Sequence, residues 1–324
     1  MNSTDTRLEE LMSSLDGELK YDDITRTIYS TDASVYREKP LAVAWPRGAD
    51  DLKKILSYAS ETGTGITLRA AGTSLAGQVV GSGIIADISK YMNRIIEVNP
   101  EEKWVRVEPG VVLDELNIFL RHYGLFFGPE TSTSNRCNIG GMVGNNACGS
   151  HSLVYGSTRD HTLEIKAILS DGSEAVFVPL SREAFNEKCK ADTLEGRIYN
   201  NIRTILSDPR NREAIREGFP DPQIPRRNSG YALDLLLDSK VFDDKSAREF
   251  NLCNLIAGSE GTLAAVTEIR LNLVPIPPAH KALVCVHHHE RNEAFKANMI
   301  ALKYKPVAVE MMDNRILELT EDSL

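Results

Sequence analysis

Residues 128–150 read GPETSTSNRCNIGGMVGNNACGS, a stretch that combines glycine and other small residues with little charge. Glycine has no Cβ and adopts backbone conformations that other residues avoid, so such a segment lets a large ligand approach the main chain. Neutral hydrogen-bonding side chains flank the glycines, and Arg136 is the only charged residue of the stretch after Glu130. This combination favours a flat, partly apolar ligand with polar edges. The alternative is an irregular loop whose glycines lie at turns.

A second segment of this kind, RAAGTSLAGQ at residues 69–78, directly follows the predicted strand Ile66–Arg69. Successive backbone N–H groups in such a turn form an anion-binding concavity. Thr73 and Ser74 add hydroxyl donors beside it. The segment therefore predicts a diphosphate cradle that uses neither lysine nor Mg²⁺.

Two patterns in the same region match the glycine spacing of nucleotide-binding motifs, but the residues around them do not match those motifs. Residues 72–77 have the glycine spacing of a P-loop, but Gln78 and Val79 occupy the positions that require Lys and Ser or Thr. Residues 81–86 match the Rossmann glycine spacing, but the run that follows predicts a strand. Rossmann glycines must instead open a helix whose N-terminus holds the pyrophosphate. We therefore interpret neither pattern as a nucleotide site.

A third segment, GSEGTLAAVT at residues 258–267, repeats the small-residue pattern between two predicted strands. All three segments are thus predicted at strand ends. We infer that one elongated ligand contacts the chain at several separate points.

The rest of the chain predicts short strands that alternate with helices. The predicted strands span 41–45, 66–69, 84–87, 95–98, 104–108, 163–169, 175–178, 252–257, 263–273, 282–287 and 307–311. The predicted helices span 8–15, 52–59, 112–120, 181–218 (with a second helix starting at Pro209) and 290–302, followed by a last helix. The first four strands form a small β-α-β-rich unit.

Composition excludes several classes of protein. The chain has 324 residues, a formal net charge of −9 and no basic run, which argues against a nucleic-acid partner. Its N-terminus is acidic and amphipathic rather than a signal peptide, and no stretch approaches the roughly 20 apolar residues of a membrane-spanning helix. Five widely spread cysteines indicate reduced thiols. We expect a cytoplasmic protein.

Taken in order, RAAGTSLAGQ, GPETS…CNIGGMVGNNACGSHSLVYGSTRD and GSEGTLAAVTE resemble the FAD-binding domain of the vanillyl-alcohol-oxidase (PCMH-type) flavoprotein superfamily. Within it the chain is similar to the D-lactate dehydrogenase and glycolate oxidase branch. It most resembles the large proteins that join this flavin domain to a C-terminal iron–sulfur module. The resemblance covers roughly residues 20–320.

The resemblance implies which residues contact FAD. The first segment wraps the diphosphate, the second lines the isoalloxazine and the ribityl chain, and the third adds further contacts. The implied residues are Arg69, Ala71, Gly72, Thr73, Ser74 and Gln78; Pro129, Glu130, Thr131, Ile139, Gly140, Gly141, Asn145, Ala147, Gly149 and Ser150; and Glu260, Gly261 and Val266. FAD is expected to be non-covalent, because relatives with a histidyl linkage carry His where Thr73 stands.

The implied fold is α+β, with a PCMH-type FAD-binding domain at residues 1–278. Two α/β subdomains, about 20–100 and about 101–278, clasp the cofactor. After the prolines at 275–278, residues 279–324 are expected to begin an α/β substrate (cap) domain that is truncated. Any iron–sulfur cluster would then lie only in a missing C-terminal region.

The resemblance also implies an activity, namely oxidation of D-lactate or a similar 2-hydroxy acid by hydride transfer to flavin N5. Electrons would then pass to an iron–sulfur module, a quinone or a cytochrome, and peripheral association with the inner face of the membrane fits that role. A cationic anchor for the substrate carboxylate is needed, and Arg226 and Arg227 suit bidentate binding, with Tyr231 as a helper. Adjacent arginines also commonly form surface charges or structural ion pairs.

Two alternatives to that activity remain open. One is a non-catalytic FAD-binding subunit or fragment, because the chain is expected to lack the full catalytic site. The other is an NADPH-dependent reductase of an enolpyruvyl sugar nucleotide, which the GPETS and GNNACG segments fit poorly.

Other histidines and cysteines have simpler interpretations. His287, His288 and His289 suggest a metal site, but neighbours at a strand end point to opposite faces, so we predict no metal. His151 and His161 lie close to the second segment in sequence, where they either contact the flavin edge or pack. Cys137 and Cys148 are expected to be small buried thiols.

Overall fold

The computed structural model describes residues 3–224, 226–227 and 230–321, which form two large β-sheets, a short two-stranded sheet and a series of helices. The strands are β1 (Glu18–Lys20), β2 (Ala42–Trp45), β3 (Ile66–Arg69), β4 (Ile84–Asp87), β5 (Ile95–Asn99), β6 (Trp104–Val107), β7 (Leu125–Phe126), β8 (Thr162–Ile168), β9 (Glu174–Phe177), β10 (Ala265–Asn272) and β11 (Val274–Pro275). The α-helices are α1 (Ser3–Ser14), α2 (Asp23–Ile28), α3 (Ala49–Thr62), α4 (Leu113–Leu120), α5 (Ile139–Asn145), α6 (Ser152–Tyr155), α7 (Thr158–His161), α8 (Arg182–Lys188), α9 (Leu194–Ser207), α10 (Pro209–Gly218), α11 (Leu233–Leu237), α12 (Cys253–Ile256), α13 (Arg291–Ala301) and α14 (Asn314–Thr320).

The first sheet has the strand order β1-β2-β4-β3, with β4 parallel to both β2 and β3 and β1 antiparallel at the edge. Strands β2 and β4 are buried along their whole length, as expected for parallel strands that are covered on both faces. Helix α3 covers one face through Leu52 and Ile55, and it ends at Gly63 in the left-handed conformation. Strand β3 lies at the other edge of this sheet, so the first small-residue segment, which begins where β3 ends, also lies at that edge.

The second sheet is antiparallel, in the order β5-β6-β10-β8-β9. Its strands alternate in the way that a half-buried sheet requires. Val105, Val107, Ile165 and Ile269 are all buried in the largest core. Polar residues such as Arg106 and Glu164, which form a 2.6 Å ion pair, lie between them in sequence. This core also contains buried residues of helices α4, α5 and α8 to α12.

The sequence placed most elements correctly, and the α+β class is confirmed. Three predictions within residues 1–278 were wrong. Residues 252–257 are not a strand but contain helix α12, whose apolar run is buried; a short buried helix and a buried strand share this pattern. Strand β5 pairs with β6 of the second sheet rather than completing the first unit. The helical region 181–218 divides into three helices rather than two.

The predicted strands at 282–287 and 307–311 are also absent from the described part of the chain. An isolated strand in water has no partner for its backbone groups, so an apolar alternation alone does not make one. The side chains there are exposed, to 89% for Leu283. Helices α13 and α14 do form. Where the cap domain begins stays a prediction.

Candidate FAD-binding site

The first segment begins where β3 ends, and its backbone is fixed by contacts from residues 29–37. Ala33 N donates to Gly72 O at 3.0 Å. Gly72 has a φ of +65°, and a Cβ there would lie 2.9 Å from Arg69 Nη2, so both conformation and space require glycine. The Arg69 guanidinium stacks on the Tyr29 ring, 5.1 Å from its centroid. Arg69 and Gly72 are thus held together at the sheet edge.

The second segment is not an irregular loop, because seven of its residues form helix α5. This helix approaches its neighbours through glycine. A Cβ on Gly140 would lie 2.6 Å from Pro109 Cβ, and one on Gly141 would lie 3.0 Å from Ala70 Cβ. Gly140 N also donates to Pro109 O at 2.7 Å. The glycines therefore let α5 pack directly against the first segment.

The third segment binds the other end of α5. Gly258 N donates to Val143 O at 2.8 Å, and Glu260 N donates to Gly144 O at 2.9 Å. Glu260 has a φ of +55°, an unusual conformation for a non-glycine residue that is held by these contacts. Burial raises the pKa of Glu260, and a side-chain hydrogen bond from Gln78 of the first segment offsets part of that effect. The structure thus brings all three segments together around α5.

Glu130 fastens the end of the second segment to its beginning. Its Oε1 accepts hydrogen bonds from Ser150 Oγ at 2.7 Å, His151 N at 3.1 Å and His151 Nδ1 at 2.5 Å. Burial alone raises the pKa of Glu130, but the bonds from Ser150 and His151 together outweigh burial and lower it. A Cβ on Gly149 would overlap the Glu130 side chain. His151 is therefore held by Glu130.

The first and second segments line an open cleft of about 470 Å³. Its volume lies in the range of small-molecule and cofactor sites. The first segment lines it with Arg69, Ala71, Gly72 and Thr73, and the second segment lines it with Ser132, Thr133 and Arg136. Exposed backbone, hydroxyl groups and arginine are the groups that bind a nucleotide diphosphate. The residues present therefore fit the diphosphate part of FAD.

Several implied contact residues are buried or have internal hydrogen-bond partners. Pro129, Ile139 and Ala147 are buried as whole residues, so they present little or no surface to a ligand in this structure. Ser74 Oγ donates to Gln78 Oε1 at 2.5 Å. The remaining implied residues are partly or fully exposed: Thr131, Asn145, Gly261 and Val266. These contacts with FAD stay predictions.

The structure separates the two arginines proposed as carboxylate anchors. Arg226 is exposed, and its Nη2 donates to Gly149 O of the second segment at 2.7 Å. Arg227 instead forms an ion pair with Asp234 and lines a different cavity of about 140 Å³. Tyr231 is 44% exposed, and its hydroxyl lies 2.7 Å from Thr262 Oγ1 of the third segment. Asn228 and Ser229 of the same RRNSGY segment lie outside the described residues.

Arg159 is a connecting residue that the sequence reasoning missed. It is buried, and its Nε and Nη2 donate to Ala257 O at 3.1 and 2.6 Å, while its N donates to Asn146 Oδ1 at 2.9 Å. Burial lowers its pKa. Arg159 therefore joins the end of the second segment to the start of the third. The sequence feature that could have indicated this role is a single arginine that follows the small residues Gly156, Ser157 and Thr158.

The histidines and cysteines near the segments have structural partners. His161 is buried, with Nε2 2.6 Å from Tyr155 O. Cys137 is buried, which raises its pKa, whereas Cys148 is half-buried. His287–His289 lie in an exposed stretch rather than at a strand end. Over the described residues, no three His, Cys, Asp or Glu side chains are grouped so as to hold a metal ion.

Comparison with known proteins agrees with this geometry. Residues 40–176 match the family profile of an FAD binding domain. The chain is 37% identical over 306 residues to D-2-hydroxyglutarate dehydrogenase of Pseudomonas putida, and 39% identical over 302 residues to that of Escherichia coli K12. These alignments cover 94% and 92% of this chain but only 29% of each relative. Glycolate oxidase subunit GlcD of Bacillus subtilis is 27% identical, with 97% of this chain and 55% of that protein covered.

Solved structures show the same fold at low identity. Alkyldihydroxyacetonephosphate synthase superposes with a TM-score of 0.57 at 15% identity, over 85% of this chain and 44% of the other. The chain therefore carries a PCMH-type FAD-binding domain that includes residues 40–176, and FAD is its cofactor. Its named relatives are FAD-linked 2-hydroxy acid dehydrogenases and oxidases. The chain spans about three tenths of the D-2-hydroxyglutarate dehydrogenases that it matches.

In the part of the chain that the structure describes, no helix combines the length and apolar character that crossing a bilayer demands.

Proposed function

We propose that this chain is the FAD-binding part of a dehydrogenase that oxidises a 2-hydroxy acid, with D-2-hydroxyglutarate as the first substrate to test. Four relatives of 34–39% identity carry that name, whereas the D-lactate dehydrogenase relative is 25% identical. The sequence favoured D-lactate or a similar acid, and D-lactate becomes the second substrate to test. Electrons would leave through an iron–sulfur module, a quinone or a cytochrome.

The observation that carries the proposal is the meeting of three distant segments around α5. Gly141 packs on Ala70, and Gly258 and Glu260 donate to Val143 O and Gly144 O. When bound, FAD supplies the acceptor for the two electrons that leave the substrate carbon as a hydride. The protein contributes the cradle, whose rigid glycine contacts fix where the cofactor lies relative to Arg226.

Arg226 is the better of the two carboxylate anchors. Its guanidinium is exposed and lies beside Gly149, at the end of the segment expected to line the isoalloxazine. Arg227 has its charge paired with Asp234, which supports a structural role for it. Tyr231 stays a candidate helper, because its hydroxyl contacts Thr262 of the third segment. A planar, charged fork suits bidentate carboxylate binding.

The substrate experiment uses two FAD-loaded samples, the 324-residue chain and a longer form that includes a cap domain, and follows flavin absorption without oxygen. D-2-hydroxyglutarate, D-lactate and glycolate are added separately, with L-2-hydroxyglutarate as the matched stereochemical control. Bleaching by one D-acid and not by the L-acid supports the proposal. A longer form of the protein that keeps a yellow flavin with every acid contradicts it and favours a non-catalytic subunit.

The same samples test the reductase alternative. NADPH is added with an enolpyruvyl sugar nucleotide, and NADPH absorbance is followed. Consumption that depends on the sugar nucleotide would replace our proposal with that reaction.

We also propose a domain organisation in which the substrate (cap) domain begins at residue 279 and contributes the residues that complete the catalytic site.

For the location in the cell, we propose a cytoplasmic protein that associates with the inner face of the membrane where its electron acceptor requires it. The acidic balance, 46 acidic against 37 basic residues, supports a partner other than nucleic acid.

A further inference from the structure

Residues 29–37, which we term the strap, form one wall of the 470 Å³ cleft. Thr31 pairs with Arg37 in an antiparallel bridge, which folds the strap back on itself. Thr31, Asp32 and Ala33 line the cleft together with residues of the first segment. The strap precedes residues 40–176, the part that matches the FAD-binding family profile, and none of its residues is among those that the resemblance implicates.

Three contacts fix the strap against the first sheet. Tyr29 OH donates to Asp87 Oδ2 at 2.6 Å at the end of β4. Ala33 N donates to Gly72 O at 3.0 Å. The Tyr36 ring lies over Gly77, where a Cβ would come within 2.5 Å of it. The strap is therefore bound to both glycines of the first segment rather than lying free on the surface.

The cleft carries more positive than negative charge. Arg69 and Arg136 both line it, and neither forms an ion pair with another residue in the described ranges. The Arg136 guanidinium donates to the neutral Asn135 Oδ1 at 2.9 Å, and its main-chain N donates to Thr133 O. Asp32 is the one acidic lining residue, and its Oδ1 already accepts from Ser34 N at 2.8 Å.

Two uncompensated guanidiniums in one cleft suit an anionic ligand. The chain as a whole carries a charge of −9, so a diphosphate approaches against a repulsive field unless local cations attract it. A guanidinium binds phosphate oxygens through two parallel N–H donors. Ser132, Thr133 and Thr73 add hydroxyl donors to the same walls.

We propose that Arg136 and the strap complete the dinucleotide site, with Arg136 as the second cation on the diphosphate and the strap as the outer wall. This inference rests on the FAD-binding function described above. Arg69 and the first segment hold one side of the diphosphate, and Arg136 of the second segment approaches from the other. A bound diphosphate would contact the strap where it lines the cleft and slow its local opening.

The test of Arg136 uses the whole chain and the variant Arg136→Gln. Arg121→Gln is the matched control, because Arg121 is an exposed arginine outside the cleft and its loss changes net charge equally. FAD affinity is measured by flavin fluorescence, and ADP affinity by calorimetry. We expect Arg136→Gln to weaken both ligands by about tenfold, roughly 1.4 kcal/mol, with a reduced salt dependence. Arg121→Gln should stay within about twofold of the unmodified chain.

Equal affinities for the two variants would overturn the role of Arg136. Circular dichroism confirms that each variant is folded, and Arg136 is exposed, so its loss removes no core contact. If the unmodified chain takes up no FAD but binds ADP in an Arg136-dependent way, the proposed function fails and the cleft assignment stands. If it binds neither, both fail.

The strap is tested by amide hydrogen exchange. We expect FAD and ADP each to slow exchange several-fold in residues 29–37, while riboflavin, which lacks the diphosphate, does not. Exchange in helix α9 serves as the internal control, since α9 packs in the core of the second sheet. Unchanged strap exchange in a chain saturated with FAD would overturn the strap's part in the site.

Discussion

Gly149 and Glu130 illustrate at the residue scale why the second segment needs its composition. Glu130 accepts three hydrogen bonds from residues 150 and 151, which pulls the two ends of the segment together. The side chain lies so close to Gly149 that no Cβ fits there. Each residue therefore depends on the other. The sequence indicated that Gly149 belongs to the FAD-binding segment. It did not indicate that the Glu130 side chain is what excludes a larger residue at position 149.

We predict that Gly149→Ala weakens FAD binding by more than tenfold and destabilises the fold by about 1–3 kcal/mol, because the new methyl group forces Glu130 away. Gly48→Ala is the control, since nothing lies within 4 Å of a Cβ at that position. Urea unfolding and FAD titration measure the two effects. Equal behaviour of the two variants would show that the Glu130 contact does not constrain the site.

A second prediction concerns the pH dependence of Glu130. Its pKa is lowered on folding from the usual 4.5, so the folded state binds this proton more weakly than the unfolded state. The stabilisation is therefore complete above about pH 4.5 and is lost as the pH falls through the lower folded pKa. We expect Glu130→Gln to flatten the acid side of the melting-temperature profile. A profile parallel to that of the unmodified chain below pH 5 would contradict this account.

At the scale of single elements, α5 holds the site together. Glycine makes three of its seven residues, and glycine disfavours helix by about 1 kcal/mol each, so tertiary contacts must stabilise it. Those contacts are long-range in sequence: Pro109, Ala70 and the third segment. Sequence periodicity therefore did not identify α5, although it identified α3 and α4 from their apolar faces. The short apolar run of α12 was predicted as a strand, because a buried run of this length has no periodicity that distinguishes a helix from a strand.

Two glycines of α5 offer a matched pair of substitutions. A Cβ on Gly140 would lie 2.6 Å from Pro109 Cβ, whereas one on Gly144 meets nothing nearer than 3.8 Å. We expect Gly140→Ala to lower the free energy of unfolding of the cofactor-free chain by about 1–3 kcal/mol. Gly144→Ala should leave it unchanged or raise it by about 0.5–1 kcal/mol, because alanine favours helix. Similar losses in both variants would show that α5 is not packed as described.

At the scale of the whole molecule, the two sheets meet through a small apolar cluster. Ile168 and Ala265 of the second sheet pack with Leu52, Ala86 and Met92 around the first. Gln78 and Glu260 form a polar connection between the first and third segments. The family resemblance carried by the three motifs implied two subdomains around one cofactor, and that division stays a prediction. The sequence could not predict the strap, because residues 29–37 carry no glycine pattern and act only through distant partners.

The residues after 278 lie apart from this arrangement, and their apolar side chains are exposed, to 81% for Val284 and 83% for Tyr304. We predict that a chain ending at Pro278 keeps its FAD affinity within about twofold and its melting temperature within about 2 °C. It should also associate less at high concentration, since exposed apolar surface promotes aggregation. Light scattering and FAD titration measure both. A large loss of FAD affinity would show that the tail supports the site.

The central claim is that three small-residue segments around α5 form a non-covalent FAD site. The most direct measurement is the visible absorption spectrum of the purified chain, before and after heat releases any ligand. We predict a flavin spectrum whose chromophore leaves the denatured protein completely and chromatographs as FAD. A colourless protein that takes up no added FAD, or a flavin that stays attached after denaturation, would contradict the claim.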